Sequence, residues 1–195
     1  MIRIVTDSAA DITYEEAKRL NIEIAPLKIS FKDEVYIQDI DLSFDEFYEK
    51  LKNADELPFT SQPSPNDFLN IFNEAKQCKD SVVYIGISSK LSGTLQSAHI
   101  AKETCEYSNI YLIDSLQAVV GLRILVEYAV KLRDEGKTAS EIYETILEVR
   151  TRVDLWAMVD TLKYLYKGGR LSKGAAALGS MIQIKPIIKM ELLRL

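Results

Sequence analysis

Histidine and cysteine are scarce in this chain of 195 residues: one His, at His99, and two Cys, at Cys78 and Cys105. So small a set excludes a disulfide framework and a zinc site, and it fits buried or free thiols in a reducing compartment. No apolar run reaches the ~18 residues of a transmembrane helix. Arg3 is followed by only a short apolar stretch before Asp7-Ser8, so no signal peptide is read at the start. Positive charge is outnumbered, with 24 Lys and Arg against 29 Asp and Glu, a net charge of −5. No basic block or aromatic-basic stripe relieves that balance, which argues against nucleic acid as a partner. These absences lead to the expectation of a soluble, cytoplasmic protein.

Familiar catalytic signatures are missing as well. A P-loop requires Gly, four residues, then Gly-Lys-Ser/Thr, and Gly86 and Gly93 do not meet that spacing. A nucleophile elbow requires Gly-x-Ser-x-Gly, and Gly86-Ile87-Ser88-Ser89-Lys90 lacks its second glycine. His99 follows Ser92 within one helix and cannot readily swing back to act as its base. There is no dinucleotide fingerprint and no tandem repeat.

What is present is a globular composition, 47% hydrophobic and 27% charged, in which strands alternate with helices. Met1–Val5 reads as a first strand ending at Thr6-Asp7-Ser8. Thr13 with Glu16 forms a capping box opening a helix through Leu20. Ile22–Ile29 and Glu34–Ile37 alternate like strands around a Lys32-Asp33 turn, with Pro26 at an edge or a bulge. Ser43 with Glu46 caps a second helix, whose Phe44, Phe47, Tyr48 and Leu51 share one side. Thr60-Ser61-Gln62-Pro63-Ser64-Pro65 is too rich in proline and hydroxyls for a regular element, and Ser64 then caps a helix with Pro65 at its first position.

Val82–Ile87 is a buried strand, and Thr94–Glu106 is a helix. The loop between them, Ser88-Ser89-Lys90-Leu91-Ser92-Gly93, offers hydroxyls and a glycine at a helix N-terminus. Such a place holds an anion well, and it is equally an ordinary turn with Ser92 as the N-cap. Ile110–Ile113 is a further strand, ending in Asp114-Ser115 as the first ends in Asp7-Ser8. Helices follow over roughly Ala118–Glu135, closed by Gly136, and Ser140–Arg150, opened by Thr138 with Glu141. The pattern predicts an α/β fold with a mostly parallel sheet and helices on both faces.

In open parallel sheets, ligands collect beyond the carboxyl ends of the strands. Asp7, Asp114 and Lys90 there would suit either Mg²⁺ in a phosphate-handling enzyme or simple capping of the loops. Beyond Arg150 the texture changes: a strand over Asp154–Asp160, a short helix near Leu162–Tyr166, a Gly168-Gly169 break, a small-residue helix over Ala175–Met181, and a strand at Ile184–Ile188. Residues 1–150 thus form one domain, and residues 151–195 begin a second, incomplete α/β domain that ends abruptly at Met190–Leu195.

Three motifs, Thr60-Ser61-Gln62-Pro63-Ser64, Ile87–Ala98 and Gly168-Gly169-Arg170-Leu171-Ser172, taken in that order, resemble the DegV family of bacterial fatty-acid-binding proteins. Asp7-Ser8, Asp114-Ser115 and Ile184-Lys185-Pro186 also stand where that family has them. The resemblance covers the chain to about Lys189, beyond which family members continue. It implies a non-catalytic lipid-binding protein with neither metal nor cofactor, whose ligand is a long-chain fatty acid, hexadecanoate-like. By that resemblance Thr60 and Ser92 hold the carboxylate, with Ser61, Gly93 and Arg170 as lesser candidates. It further implies a separate fatty acid kinase as partner in lipid metabolism and a transient contact with a membrane surface. A module that binds nothing, its second domain cut short, is the remaining alternative.

Overall fold

The protein was analysed as a computed structural model, which describes residues 1–38, 40–54, 56–171 and 185–190. It divides into two compact units, Met1–Val153 and Asp154–Leu195.

The first unit is built on four parallel strands, β1 (Ile2–Asp7), β2 (Ile22–Ala25), β6 (Ser81–Gly86) and β7 (Ile110–Asp114), in the order β2-β1-β6-β7. Ile4 stands opposite both Ile22 and Val83, and Val83 in turn opposite Tyr111. The chain winds outward from β1 to β2, then returns to β1's other side and winds outward again from β6 to β7. The topological switch point therefore lies between β1 and β6. Both faces of the sheet are covered, as the continuous apolar strands require.

On one face, Val5, Val82 and Tyr84 pack with Phe68, Phe72 and Ala75 of α3 (Pro65–Cys78) and with Ala98 and Ala101 of α4 (Thr94–Cys105). The rings of Phe68 and Tyr84 meet edge to face, centroids 5.0 Å apart. Burying aromatic side chains of this size contributes about 1.5–3 kcal/mol each relative to exposure. The other face meets α5 (Val119–Asp134) and α6 (Ala139–Val149), through buried Leu122, Leu125, Ile142 and Ile146. Beside α5 runs α1 (Tyr14–Leu20), whose carboxyl end is closed by Arg133 donating to Leu20 O at 2.9 Å and Asn21 O at 2.7 Å.

Among the described residues, four helix starts are capping boxes, at Thr13–Glu16, Ser43–Glu46, Ser64–Asp67 and Thr138–Glu141, with Ser43 opening α2 (Phe44–Asn53). In each, the hydroxyl accepts the third helical N–H while the acid accepts the cap's own N–H.

Two expectations for the first unit require correction. Ile22–Ile29 is not one strand: β2 ends at Ala25, and β3 (Lys28–Phe31) belongs to a different sheet. Pro26 has no N–H for a ladder, and the N–H of Leu27 donates at 3.0 Å to Ser8 Oγ instead. The Thr60–Pro65 segment is not wholly irregular either. Phe59–Ser61 forms β5, paired antiparallel with β3, while β4 (Glu34–Ile37) pairs with β3's other side. Proline stops the strand only from Pro63 onward. Ile29, Phe31 and Leu42 form a small core under this second sheet.

In the second unit, β8 (Trp156–Met158) pairs antiparallel with β9 (Ile187–Lys189), and α7 (Lys163–Lys167) lies between them in sequence. Both strands are shorter than their apolar patterns predict. Trp156, Met158 and Ile187 share one exposed face of the ribbon. The expected helix over Ala175–Met181, Ser172, Ile184 and the residues after Met190 lie outside the described residues. Among the described residues, no helix is long and apolar enough to cross a membrane.

Candidate functional site

The carboxyl ends of β1, β6 and β7 each deliver a polar residue into the connection that follows. Asp7 is fully buried, and its Oδ2 accepts from Tyr84 Oη and from Ile87 N, both at 2.8 Å. Its Oδ1 accepts from Ala9 N at 3.1 Å. Burial pushes the carboxyl up to about 6, against the three donors that favour its charged form. Asp114 accepts from Ser89 N, Ser89 Oγ and Leu116 N. Both carboxylates thus hold the loops that follow the strands, which is the capping role. Among the described residues, no group of three or more His, Cys, Asp or Glu is placed to hold a metal.

The loop after β6 is folded on itself. Leu91 N and Ser92 N donate back to Ser88 O at 2.9 and 3.2 Å, and Ser88 N is tied to Gln117 O at 2.8 Å. Ser92 is not the N-cap of α4. That position belongs to Gly93, which has no side chain to cap with, and the first turn carries no acidic residue. The partial positive charge at this helix start therefore meets no acidic side chain in the first turn.

Ser92 has a different task. Its Oγ lies 2.8 Å from Thr94 Oγ1 and accepts from Thr94 N at 3.4 Å. Thr94 is fully buried, and its hydroxyl shares with that of Ser92 one hydrogen bond in which either oxygen can donate. In the arrangement where Thr94 donates both its hydroxyl and its N–H, the lone pairs of Ser92 are occupied and the serine proton is left to donate outward.

Thr60 lies in β5 opposite Ile29, and Ser61 opposite Lys28. Both are exposed, and because successive strand residues face opposite ways, they address different faces of the small sheet. Gln62, directly after them, reaches the start of α4: its Nε2 donates to Ser97 Oγ at 2.8 Å. A Cβ at Gly93 would stand only 2.2 Å from Gln62 Oε1, so the amide lies flat on that glycine. The strand carrying Thr60 and the loop carrying Ser92 are brought together by this contact. The small sheet is also attached to the end of β1, where Ser8 Oγ and Gln38 Oε1 are 3.0 Å apart. Sequence reading missed the Gln62–Ser97 contact; the one signal for it was the amide of Gln62 inside the Thr60–Ser64 hydroxyl cluster.

Arg170 belongs to the second unit. It is exposed, and its Nη1 donates to Gly168 O at 2.6 Å. An open, shallow depression bordered by Lys137, Ser140, Glu141, Glu144 and Thr145 lies along α6.

Fold and loops together define a doubly wound α/β protein with neutral hydrogen-bond donors gathered at its switch point. A family model described as "Uncharacterised protein, DegV family" matches residues 1–194, and the chain belongs to the DegV family. A DegV domain-containing protein of Caldanaerobacter subterraneus is 36% identical over 190 residues, 97% of this chain and 68% of the relative. A solved structure described as fatty acid binding of a DegV family protein from Thermus thermophilus superposes with a TM-score of 0.87 at 31% identity, covering 97% of this chain and 68% of that one. The fatty acid kinase B3 protein of Streptococcus pneumoniae, solved loaded with linoleic acid, gives 0.84 at 27% identity, covering 98% and 69%.

Proposed function

We propose that this chain binds a long-chain fatty acid of the hexadecanoate type, with the carboxylate accepting from Thr60 Oγ1 and Ser92 Oγ. Residues 1–150 supply those hydroxyls. Residues 151–195 open the second domain, in which Arg170 is a lesser candidate contact, while Ser61 and Gly93 are secondary contacts in the first. The chain acts in the cytoplasm without catalysing a reaction itself. It presents the acid to a separate fatty acid kinase in lipid metabolism, touching a membrane surface in passing.

The observation that supports this reading most is the Gln62 contact, which brings the Thr60 strand beside the Ser92 loop. The naming of the Thermus protein for fatty acid binding and the linoleic acid carried by the Streptococcus protein point the same way. Neutral hydroxyls suit the task chemically. They orient a carboxylate without the full neutralisation of a salt bridge, leaving it nucleophilic for a later phosphoryl transfer. The acyl chain itself contributes ~0.8 kcal/mol per buried CH₂.

Mass spectrometry of an organic extract of the chain purified from bacteria tests the proposal. A stoichiometric fatty acid of about hexadecanoate length is expected, and it should be lost from a Thr60→Ala, Ser92→Ala double variant. A chain that remains empty after incubation with hexadecanoate would overturn it.

A further inference from the structure

Among the described residues, Gln62 joins the two proposed carboxylate-binding segments, and nothing in the proposed chemistry uses it as a ligand contact. Its position is fixed from two sides. Ser97, which accepts its amide proton at 2.8 Å, is buried in the first full turn of α4. Gly93, on which the amide lies, has no Cβ, and any Cβ there would stand 2.2 Å from Oε1 and 3.0 Å from Cδ. Backbone on both sides of this contact is short and well held. Thr60, two residues before Gln62, is locked by the pairing of β5 with β3. Ser92, one residue before Gly93, is locked by its N–H to Ser88 O. At no more than about 3.6 Å of chain per residue, neither hydroxyl can move far while the contact holds.

We infer that Gln62 is a positioning residue: its amide, seated on Gly93 and bonded to Ser97, sets the separation of the Thr60 and Ser92 hydroxyls. The inference rests on the fatty-acid reading above and deepens it. It also gives Gly93 a second role beside the ligand contact proposed above. The glycine is the seat of a latch, and a methyl group there would displace the amide as effectively as deleting it.

The test compares hexadecanoate with its methyl ester on the full 195-residue chain. The ester keeps the acyl chain and lacks the charged acceptor that the two hydroxyls address. Gln62→Ala is expected to weaken hexadecanoate about tenfold, the scale of one lost neutral hydrogen bond, and to leave the ester within about twofold. Gly93→Ala should do the same, and combining the two should still cost about tenfold, because both break one contact. Ser97→Ala gives a third route to the same loss if the glycine variant fails to fold. Equal weakening of acid and ester, about a hundredfold loss in the double variant, or wild-type binding by Gln62→Ala would each overturn the latch. Failure of the parent reading looks different: wild type would then not distinguish acid from ester, and Thr60→Ala and Ser92→Ala would change neither. That result would remove the latch with it. Loss of the acid in those two variants alone would remove only the latch.

Discussion

The phenol of Tyr84 donates to Asp7 Oδ2 at 2.8 Å, and both side chains are fully buried at the end of the central strands. The ring reaches that position by lying over Gly86, where a Cβ would meet the phenol oxygen at 2.2 Å. The contact fastens β1 to β6 at the switch point, just before the loop that carries Ser92.

Because burial raises the Asp7 carboxyl from an ordinary 3.8 to about 6, the folded state holds this proton where the unfolded chain releases it. Between about pH 4 and 6 the native state therefore binds more protons, and the contribution of Asp7 to stability falls as pH rises. At roughly 1.36 kcal/mol per unit, ionising Asp7 costs about 2 kcal/mol at neutral pH relative to pH 4. Asp7→Asn removes this titration. Its urea unfolding free energy, measured against wild type at pH 4, 5, 6 and 7, should gain on wild type across that range by about 2 kcal/mol. Any fixed penalty from the amide shifts the level of the curve and leaves the slope alone. Parallel curves for the two proteins would refute the argument.

Glu16 behaves in the opposite sense. Arg123 Nη2 donates to it at 2.7 Å, and this hydrogen bond, with the Thr13 backbone N–H, lowers its carboxyl from 4.5 to about 2. A carboxyl depressed on folding stabilises above its ordinary value, and that stabilisation is lost as pH falls toward 2. Arg123→Ala should lower the unfolding midpoint at pH 7, and the gap to wild type should close between pH 5 and 2. A gap that stays constant would mean that Arg123 acts through its packing on α1 and α5 alone.

Those helices were among the most legible parts of the chain. Each capping box is a local four-residue pattern, and Thr13–Glu16, Ser43–Glu46 and Thr138–Glu141 all form as their residues dictate. The parallel sheet was legible too, since strands buried on both faces must be continuous apolar runs. Less legible was anything decided by partners distant in sequence. β3 leaves the main sheet after Pro26 because Leu27 finds Ser8, nineteen residues earlier. Phe59–Ser61 becomes a strand because β3 offers an open edge, which outweighs the prolines that follow. Gln62 meets Ser97 across 35 residues, with no periodicity to announce it. Ser92 looked like an N-cap because serine before a helix usually is one. Here Thr94 claims it instead.

That last pair yields a prediction about binding. Thr94 is buried, its N–H donates to Ser92 Oγ, and its hydroxyl lies 2.8 Å from that oxygen; with Thr94 as donor in this second bond too, the serine proton turns outward. Thr94→Val keeps the shape and removes the hydroxyl. Ser92 then regains a free lone pair and with it the freedom to rotate its proton toward other acceptors, such as its own loop carbonyls. The oriented donor is lost although the serine remains. Hexadecanoate affinity should fall about five- to tenfold, the worth of one neutral hydrogen bond. The same substitution on a Ser92→Ala background should change almost nothing, since the hydroxyl it orients is already gone. Isothermal titration of the four proteins decides it. If Thr94→Val binds as wild type does, Ser92 donates without help; if its effect persists on the Ser92→Ala background, Thr94 acts by a route other than Ser92.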